Sequence, residues 1–289
     1  MRKDMTGQPR PRFDRMARAA LILCALLPPG STAADTLPRV ASMNLCTDQL
    51  VLLLADPDQI LSLSRLAGDP RSSSMATEAT EYLQNSGGAE EIFALKPDVV
   101  LAGRYSDPTV VAMLRRLGLQ VEQIPITSAL SDIPQQIRAV GVVLHQETRA
   151  EALAAGVDAR IAALGIAPPD APVAAFFYPN GYSLGADTLS NDIVTHAGFR
   201  NLAQMLGMAG GGRLSLEQLV EHAPDVLISA PRYPGQSRSE DLAFHPALAG
   251  YAQAGRVVYS SSDWVCGTPL TLRAVADVAA VRATLEGEQ

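Results

Sequence analysis

Two carboxylates, two Arg-Tyr pairs, two cysteines and one tryptophan are the residues of this chain best placed by type and spacing to recognise another molecule. Residues 87–105 read GGAEEIFALKPDVVLAGRY, and residues 211–233 read GGRLSLEQLVEHAPDVLISAPRY. In each segment a glutamate (Glu90, Glu217) stands seven residues before a Pro-Asp pair (Pro97-Asp98, Pro224-Asp225). A short apolar run follows, and each segment closes on Arg-Tyr (Arg104-Tyr105, Arg232-Tyr233). Exposed carboxylates held far apart on one rigid body can register it against a two-fold basic surface. The same glutamates would also be favoured in the first turn of a helix by its dipole. Guanidinium and phenol groups side by side suit a large, flat, partly anionic organic molecule, because rings stack and Arg pairs with carboxylates or phosphate.

The segment recurs once, with Pro97 and Pro224 127 residues apart. That spacing is too wide for a solenoid and implies two similar half-domains. The chain has 289 residues, enough for two domains of ordinary size.

Formal charge is −7, but six of the 23 basic residues and only two of the 30 acids precede position 35. The remainder holds 17 basic and 28 acidic residues, a net −11, with Lys96 as its one lysine. Such a body is a poor match for nucleic acid. Arg2, Lys3, Arg10, Arg12, Arg15 and Arg18 lead into the apolar run 19–27, then Pro28-Pro29-Gly30 and small residues. This is the pattern of a secretory leader cut near Ala34, too short to span a bilayer comfortably. The expected mature protein is exported, to the periplasm, and Cys24 leaves with the leader. Cys46 and Cys266 then remain in an oxidising compartment, where they can form a disulfide across a hinge, stay as buried thiols, or touch a ligand.

The elements that must position these groups alternate. Strands are predicted at 39–43, 60–63, 99–102, 121–124, 173–177, 226–229 and 257–259. Helices are predicted at 49–55 (capped by Thr47 or Asp48), 76–84, 89–95, 109–117, 188–197, 216–222, 244–249 and 270–285. Residues 178–186 read as a turn region. The alternation indicates a parallel α/β sheet in each half. Between the halves, Ile133, Ile137, Val140 and Leu144 share one helical face, as do Leu153, Val157, Ile161 and Leu164. One or two helices with a break near His145-Gln146 follow from this, the second ~27 Å long and able to brace two lobes. The division is a leader at 1–34, an N-terminal lobe at 35–130, a helical linker at 131–168 and a C-terminal lobe at 169–289.

Ligands of such sheets sit beyond the carboxyl ends of the strands. That rule selects Asn44, Cys46, Arg65, Arg104, Tyr105, Tyr178, Tyr182, Arg232, Tyr233, Asp263, Trp264 and Cys266 as candidate ligand-binding residues. His145, His196, His222 and His245 are scattered outside these loops, so no metal site is expected. The sequence carries no Gly-x-Ser-x-Gly, phosphate loop, Cys-x-x-Cys or His-Glu-x-x-His, and no catalytic residue is assigned. The run Gly210–Gly212 follows a predicted helix, which makes it a poor phosphate cradle.

From Arg39 to about Leu285, the chain resembles the periplasmic binding proteins of ABC importers for metal chelates. The resemblance rests on Glu90 with Leu95-Lys96-Pro97-Asp98, Glu217 with Pro224-Asp225, and Ser262-Asp263-Trp264 before the last helix. It implies two α/β lobes joined by a rigid helix, a ligand cleft between them, and small motion on binding. It also implies that Glu90 and Glu217 dock into arginines of a membrane permease, and that a monomer carries a ferric siderophore, cobalamin or haem with no cofactor of its own. Cobalamin binders of the family carry several cleft tryptophans, whereas this chain has only Trp264. Tyr105 or Tyr233 offers a phenolate able to ligate iron. The alternatives are a binder of a non-metal anionic redox cofactor and an exported hydrolase.

Overall fold

A computed structural model describes residues 37–232, 235 and 238–287 of the chain. The leader reading at 1–34 and the candidate Tyr233 fall outside the described residues. Strand and helix alternate as β1 (Val40–Ser42), α1 (Leu45–Leu54), β2 (Ile60–Ser64), α2 (Ala76–Ala79), β3 (Gln84–Asn85), α3 (Ala89–Ala94), β4 (Val99–Gly103), α4 (Pro108–Arg116) and β5 (Gln120–Ile124). Two helices follow, α5 (Asp132–Val143) and α6 (Glu147–Ala162). The second half contains β6 (Val173–Phe176), β7 (Tyr182–Leu184), α7 (Leu189–His196), β8 (Arg200–Asn201), α8 (Leu202–Met205), β9 (Gly211–Arg213), α9 (Leu216–His222), β10 (Val226–Ser229), α10 (Ala249–Gln253), β11 (Val257–Tyr259) and α11 (Thr271–Gly287).

The first sheet is parallel and ordered β3-β2-β1-β4-β5; the second is parallel and ordered β11-β10-β6-β8. With the edge strand β3 set aside, both sheets place their second, first, third and fourth strands side by side in that order. The duplication written in the sequence is therefore a duplication of topology. This is the expected α/β architecture of two lobes, each a mostly parallel sheet flanked by helices.

Apolar runs rather than alternating patterns make these strands because both sheet faces are covered. Along β4, Val99 and Leu101 enter the largest core, while Val100 and Ala102 enter a second core under Ile92, Val111 and Leu114. Along β6 and the residue after it, Ala174 and Phe176 join that same largest core, and Ala175 and Phe177 a third one beside Leu219 and Leu227. The largest core thus runs through both lobes, with Ile133, Ile137, Ala150 and Ala154 of the helix pair inside it.

Helices α5 and α6 are the bracing element. The break falls where expected: His145 takes a left-handed conformation (φ 55°), and the three residues between the helices fold them against each other. Gly141 makes this crossing possible, since a Cβ there would overlap the methyl of Ala150. At 16 residues α6 is ~24 Å long. Its first turn is tied to the first lobe by Arg149, which donates to the Leu54 carbonyl at 2.5 Å and to Asp56 Oδ1 at 2.6 Å.

The Pro-Asp pairs do the same work twice. Asp98 Oδ2 accepts from the Arg39 backbone N–H at 2.8 Å, and the Asp98 N–H donates back to the Arg39 carbonyl at 2.9 Å. Asp225 Oδ2 accepts from the Val173 N–H at 2.8 Å, with the return bond from the Asp225 N–H also at 2.8 Å. Each clamp fixes the start of the lobe's first strand beside the third. The residue before each Pro, Lys96 or Ala223, is left-handed (φ 50° and 42°), which ends the preceding helix and aims the chain into the strand.

Several local expectations change. Residues 76–84 hold only the single turn α2, and Gln84–Asn85 pair with β2 as an edge strand. Residues 178–186 contain β7, which pairs antiparallel with β9, so Gly211–Arg213 is a strand rather than a loop after a helix. Gly211 leaves room for the Tyr182 ring, which a side chain there would displace. Neither Thr47 nor Asp48 caps α1. Asn44 does, its Oδ1 accepting from the Cys46 N–H at 3.0 Å.

Candidate functional site

The carboxyl ends of the two sheets meet at a covalent bond. Cys46, in the first turn of α1 just after β1, is joined to Cys266, which precedes α11, across a sequence separation of 220. Of the three fates open to these cysteines, the structure takes the cross-lobe disulfide. Cys266 is buried at 2% exposure, so its sulfur serves as a tie and not as a ligand contact, while Cys46 keeps an edge on a pocket. Gly267 brings the loops closer still, since any side chain there would collide with Thr127 after β5.

Around this tie lies a pocket of about 200 Å³ walled by both lobes. The first lobe contributes Asn44, Cys46, Gly103, Arg104, Tyr105 and Thr127, and the second contributes Val265 and Gly267. Asn44 is held against the end of β4, where a Cβ at Gly103 would stand 2.7 Å from the Asn44 amide. Arg104 is exposed, and Tyr105 is 85% exposed, free to present its ring to a bound molecule. A second hollow of about 380 Å³ shares Asn44 and adds Arg65, Asn85, Ser86 and Gly87. Asn44, Cys46, Arg65, Arg104 and Tyr105 are therefore brought together, with two guanidinium groups and one phenol at the rim.

The second lobe's candidates are less unified. Tyr178 is packed into the core, stacked on Phe176 with centroids 6.2 Å apart. Burial pushes its phenol above the usual range, against the pull of a hydrogen bond with Ser260. Tyr182 lies half-exposed on β7. Arg232 is exposed and stacks its guanidinium over the Phe244 ring at 4.3 Å, at the mouth of a separate pocket with Ser229, His245 and Tyr259. Asp263 is half-buried in the turn capped by Ser261.

Trp264 corrects the sequence reading. Its side chain is 7% exposed and meets Phe176 edge-on at 6.1 Å, inside the core shared by the lobes. In the tight turn 262–264 successive side chains diverge, so the outward position falls to Val265, which lines the pocket. Trp264 is a core residue beneath the cleft floor.

Sequence reasoning missed Asp48. It is fully buried in α1, its carboxylate accepting from Ser64 N–H at 3.1 Å and Ser64 Oγ at 2.5 Å. Burial without a cationic partner pushes its pKa up to about 6, despite hydrogen bonds from Ser42 and Ser64 that pull the other way. The bond to Ser64 pins the end of β2 immediately before Arg65. An acid inside the run LCTDQLVLLL was the available signal, and it was read as a cap.

Glu90 and Glu217 are exposed, each the second residue of its helix, α3 or α9. In a parallel sheet the helix preceding a strand begins near the strand's carboxyl end, so each carboxylate lies on the pocket side of its own lobe. Hydrogen bonds from its own backbone N–H and from Ser215 hold the Glu217 carboxyl below its ordinary range. Among the described residues there is no cluster of His, Cys, Asp and Glu able to hold a metal ion. No described helix is long and apolar enough to cross a membrane.

Two parallel-sheet lobes with pocket residues at their facing strand ends define a binding protein of the two-lobed α/β class. The periplasmic binding protein family model matches residues 40–262, and the chain belongs to that family. A cobalamin-binding protein of Halobacterium salinarum is 26% identical over 211 residues, which cover 70% of this chain and 57% of that protein. The matched region thus spans little more than half the length of this curated relative. Among solved structures, the apo periplasmic haem-binding protein RhuT of Roseiflexus sp. RS-1 matches with a TM-score of 0.68 at 24% identity, over 85% of this chain and 97% of that one. The haem-binding HutB of Vibrio cholerae gives 0.69 at 21%, over 86% and 98%. The vitamin B12-binding BtuF of Vibrio cholerae gives 0.63 at 19%, again over 86% and 98%. These likenesses establish the fold.

Proposed function

We propose that the protein is a periplasmic solute-binding protein that captures a bulky metal chelate with an anionic periphery and delivers it to an ABC permease. The cargo class is haem, a corrinoid or a ferric siderophore. The observation that carries this reading is the pocket walled by both lobes at the sheet ends, with Arg104 and Tyr105 at its rim and Arg65 in the adjoining hollow that shares Asn44. Arginine forks pair bidentately with carboxylates or phosphate, and an exposed phenol can stack on a flat ring system or ligate iron. The relatives named above are cobalamin- and haem-binding proteins, which fits the same class. Binding rather than catalysis is supported by the relatives' naming as binding proteins. Glu90 and Glu217 serve as the docking carboxylates, and export to the periplasm follows from the family and the leader pattern.

Isothermal titration of the purified protein with haem, cobalamin and ferric siderophores, each paired with a thermal melt, tests the proposal. One cargo should bind saturably at one per chain and raise the melting temperature, since any ligand selective for the folded state must stabilise it. No heat and no melting shift with the whole panel would sink the chelate reading. Binding of a metal-free anionic redox cofactor in its place would move the assignment to that class.

A further inference from the structure

Helices α3 and α9 match residue for residue at the 127-residue offset. Glu90 and Glu217 are both exposed, Ile92 and Leu219 are both fully buried, and Lys96 and Ala223 are both left-handed at the helix end. One further pair obeys the offset. Phe93 is 45% exposed and Val220 is 55% exposed, each three residues after its glutamate. Residues three apart on a helix share a face, so each lobe presents a carboxylate and an apolar side chain one turn apart. A lone exposed apolar residue is ordinary on any protein surface. Among the exposed large apolar side chains of the described residues, however, Phe93 and Val220 are the one pair separated by 127. The inward anchors of the two helices are Ile92 and Leu219, both at 0% exposure.

We propose that Phe93 and Val220 are apolar anchors of the permease-docking surface, each seated beside its docking carboxylate. The inference rests on the docking reading of Glu90 and Glu217 given above. The partner it fits is a membrane-protein dimer whose two-fold axis twice presents a cationic side chain next to an apolar depression. Charge complementarity steers the encounter, and the two apolar contacts slow dissociation once water is excluded from between the surfaces.

Saturable binding of radiolabelled protein to spheroplasts of the organism that makes it tests this. The variants are F93S with V220S, the apolar-conserving F93L with V220I, and E90R with E217R. All of these positions are exposed, so unchanged melting and unchanged cargo affinity verify folding. The expected result is at least a tenfold loss of spheroplast affinity for F93S/V220S and near-normal binding for F93L/V220I. Binding lost in E90R/E217R but kept in F93S/V220S overturns the apolar anchors and leaves the docking reading intact. Binding that survives charge reversal, or a wild-type protein that does not bind at all, overturns the docking reading and this inference with it.

Discussion

Cys46 is bonded to Cys266, so the loop that ends the first strand of one lobe and the turn that starts the last helix of the other are a single covalent unit. The tie spans a sequence separation of 220 and borders the pocket itself. It acts alongside the α5–α6 brace and the continuous core, three constraints on the same relative motion. A braced, cross-linked pair of lobes has little freedom for the wide closure that flexible hinges permit.

Replacing both cysteines by serine should lower stability by about 3–5 kcal/mol, because a loop this long carries a large closure entropy in the unfolded chain. Urea denaturation of the variant against the oxidised parent measures this. In solution scattering the parent should change its radius of gyration little on cargo binding, and the double-serine variant, still held by α5–α6 and the shared core, should stay close to it. A parent that itself compacts strongly would contradict the rigid account.

Asp48 supplies a pH signature. Its folded-state pKa, about 6, lies above the ordinary aspartate value of 3.8, so the folded state holds the proton more tightly than the unfolded one. The sign follows from linkage: stability conferred by this group is fully present below the unfolded pKa and lost as pH rises through about 6. The loss amounts to about 3 kcal/mol at most. Asp48→Asn keeps an acceptor for the Ser64 N–H and offers Ser64 Oγ a donor, so it should gain on the parent progressively between pH 4 and pH 7. Parallel denaturation curves at several pH values check this, and a constant difference between the two proteins would refute it.

The two Pro-Asp clamps should respond alike. Asp98→Ala and Asp225→Ala each leave a strand-initiating N–H without its carboxylate, at a cost of about 0.5–1.5 kcal/mol. The Asp98 carboxyl is held below the ordinary range, chiefly by the Arg39 N–H. That contribution is therefore present above the unfolded pKa and declines as pH falls toward the folded one. Chemical denaturation at neutral and acidic pH should show the D98A deficit shrinking in acid.

For cargo recognition, Arg104→Ala and Tyr105→Ala should weaken binding tenfold or more while leaving the melting temperature near the parent's, since both side chains are exposed. Trp264→Phe should do the reverse. It trims a buried ring, a loss only partly offset by removing an indole N–H that has no partner, so stability should fall by about 1–3 kcal/mol and cargo affinity should hold. Titration calorimetry and thermal melts on the three variants separate rim from core.

The sequence by itself determined what is written locally and repeated. The 127-residue recurrence carried the two-lobe organisation, because Pro97-Asp98 and Pro224-Asp225 impose the same helix stop and strand clamp wherever they occur. Apolar runs carried the buried parallel strands, and the four-three-four spacing of Ile133, Ile137, Val140 and Leu144 carried α5. The burial of Trp264, the partnership of Cys46 with Cys266, and the isolation of Asp48 belong to tertiary structure alone. Each depends on which groups from distant segments arrive at one place: Phe176 against the indole, a second sulfur from the other lobe, and Ser64 without any cation. A strand-end position tells that a side chain stands near the cleft; only packing around it decides whether the chain turns outward to a ligand or inward to the core.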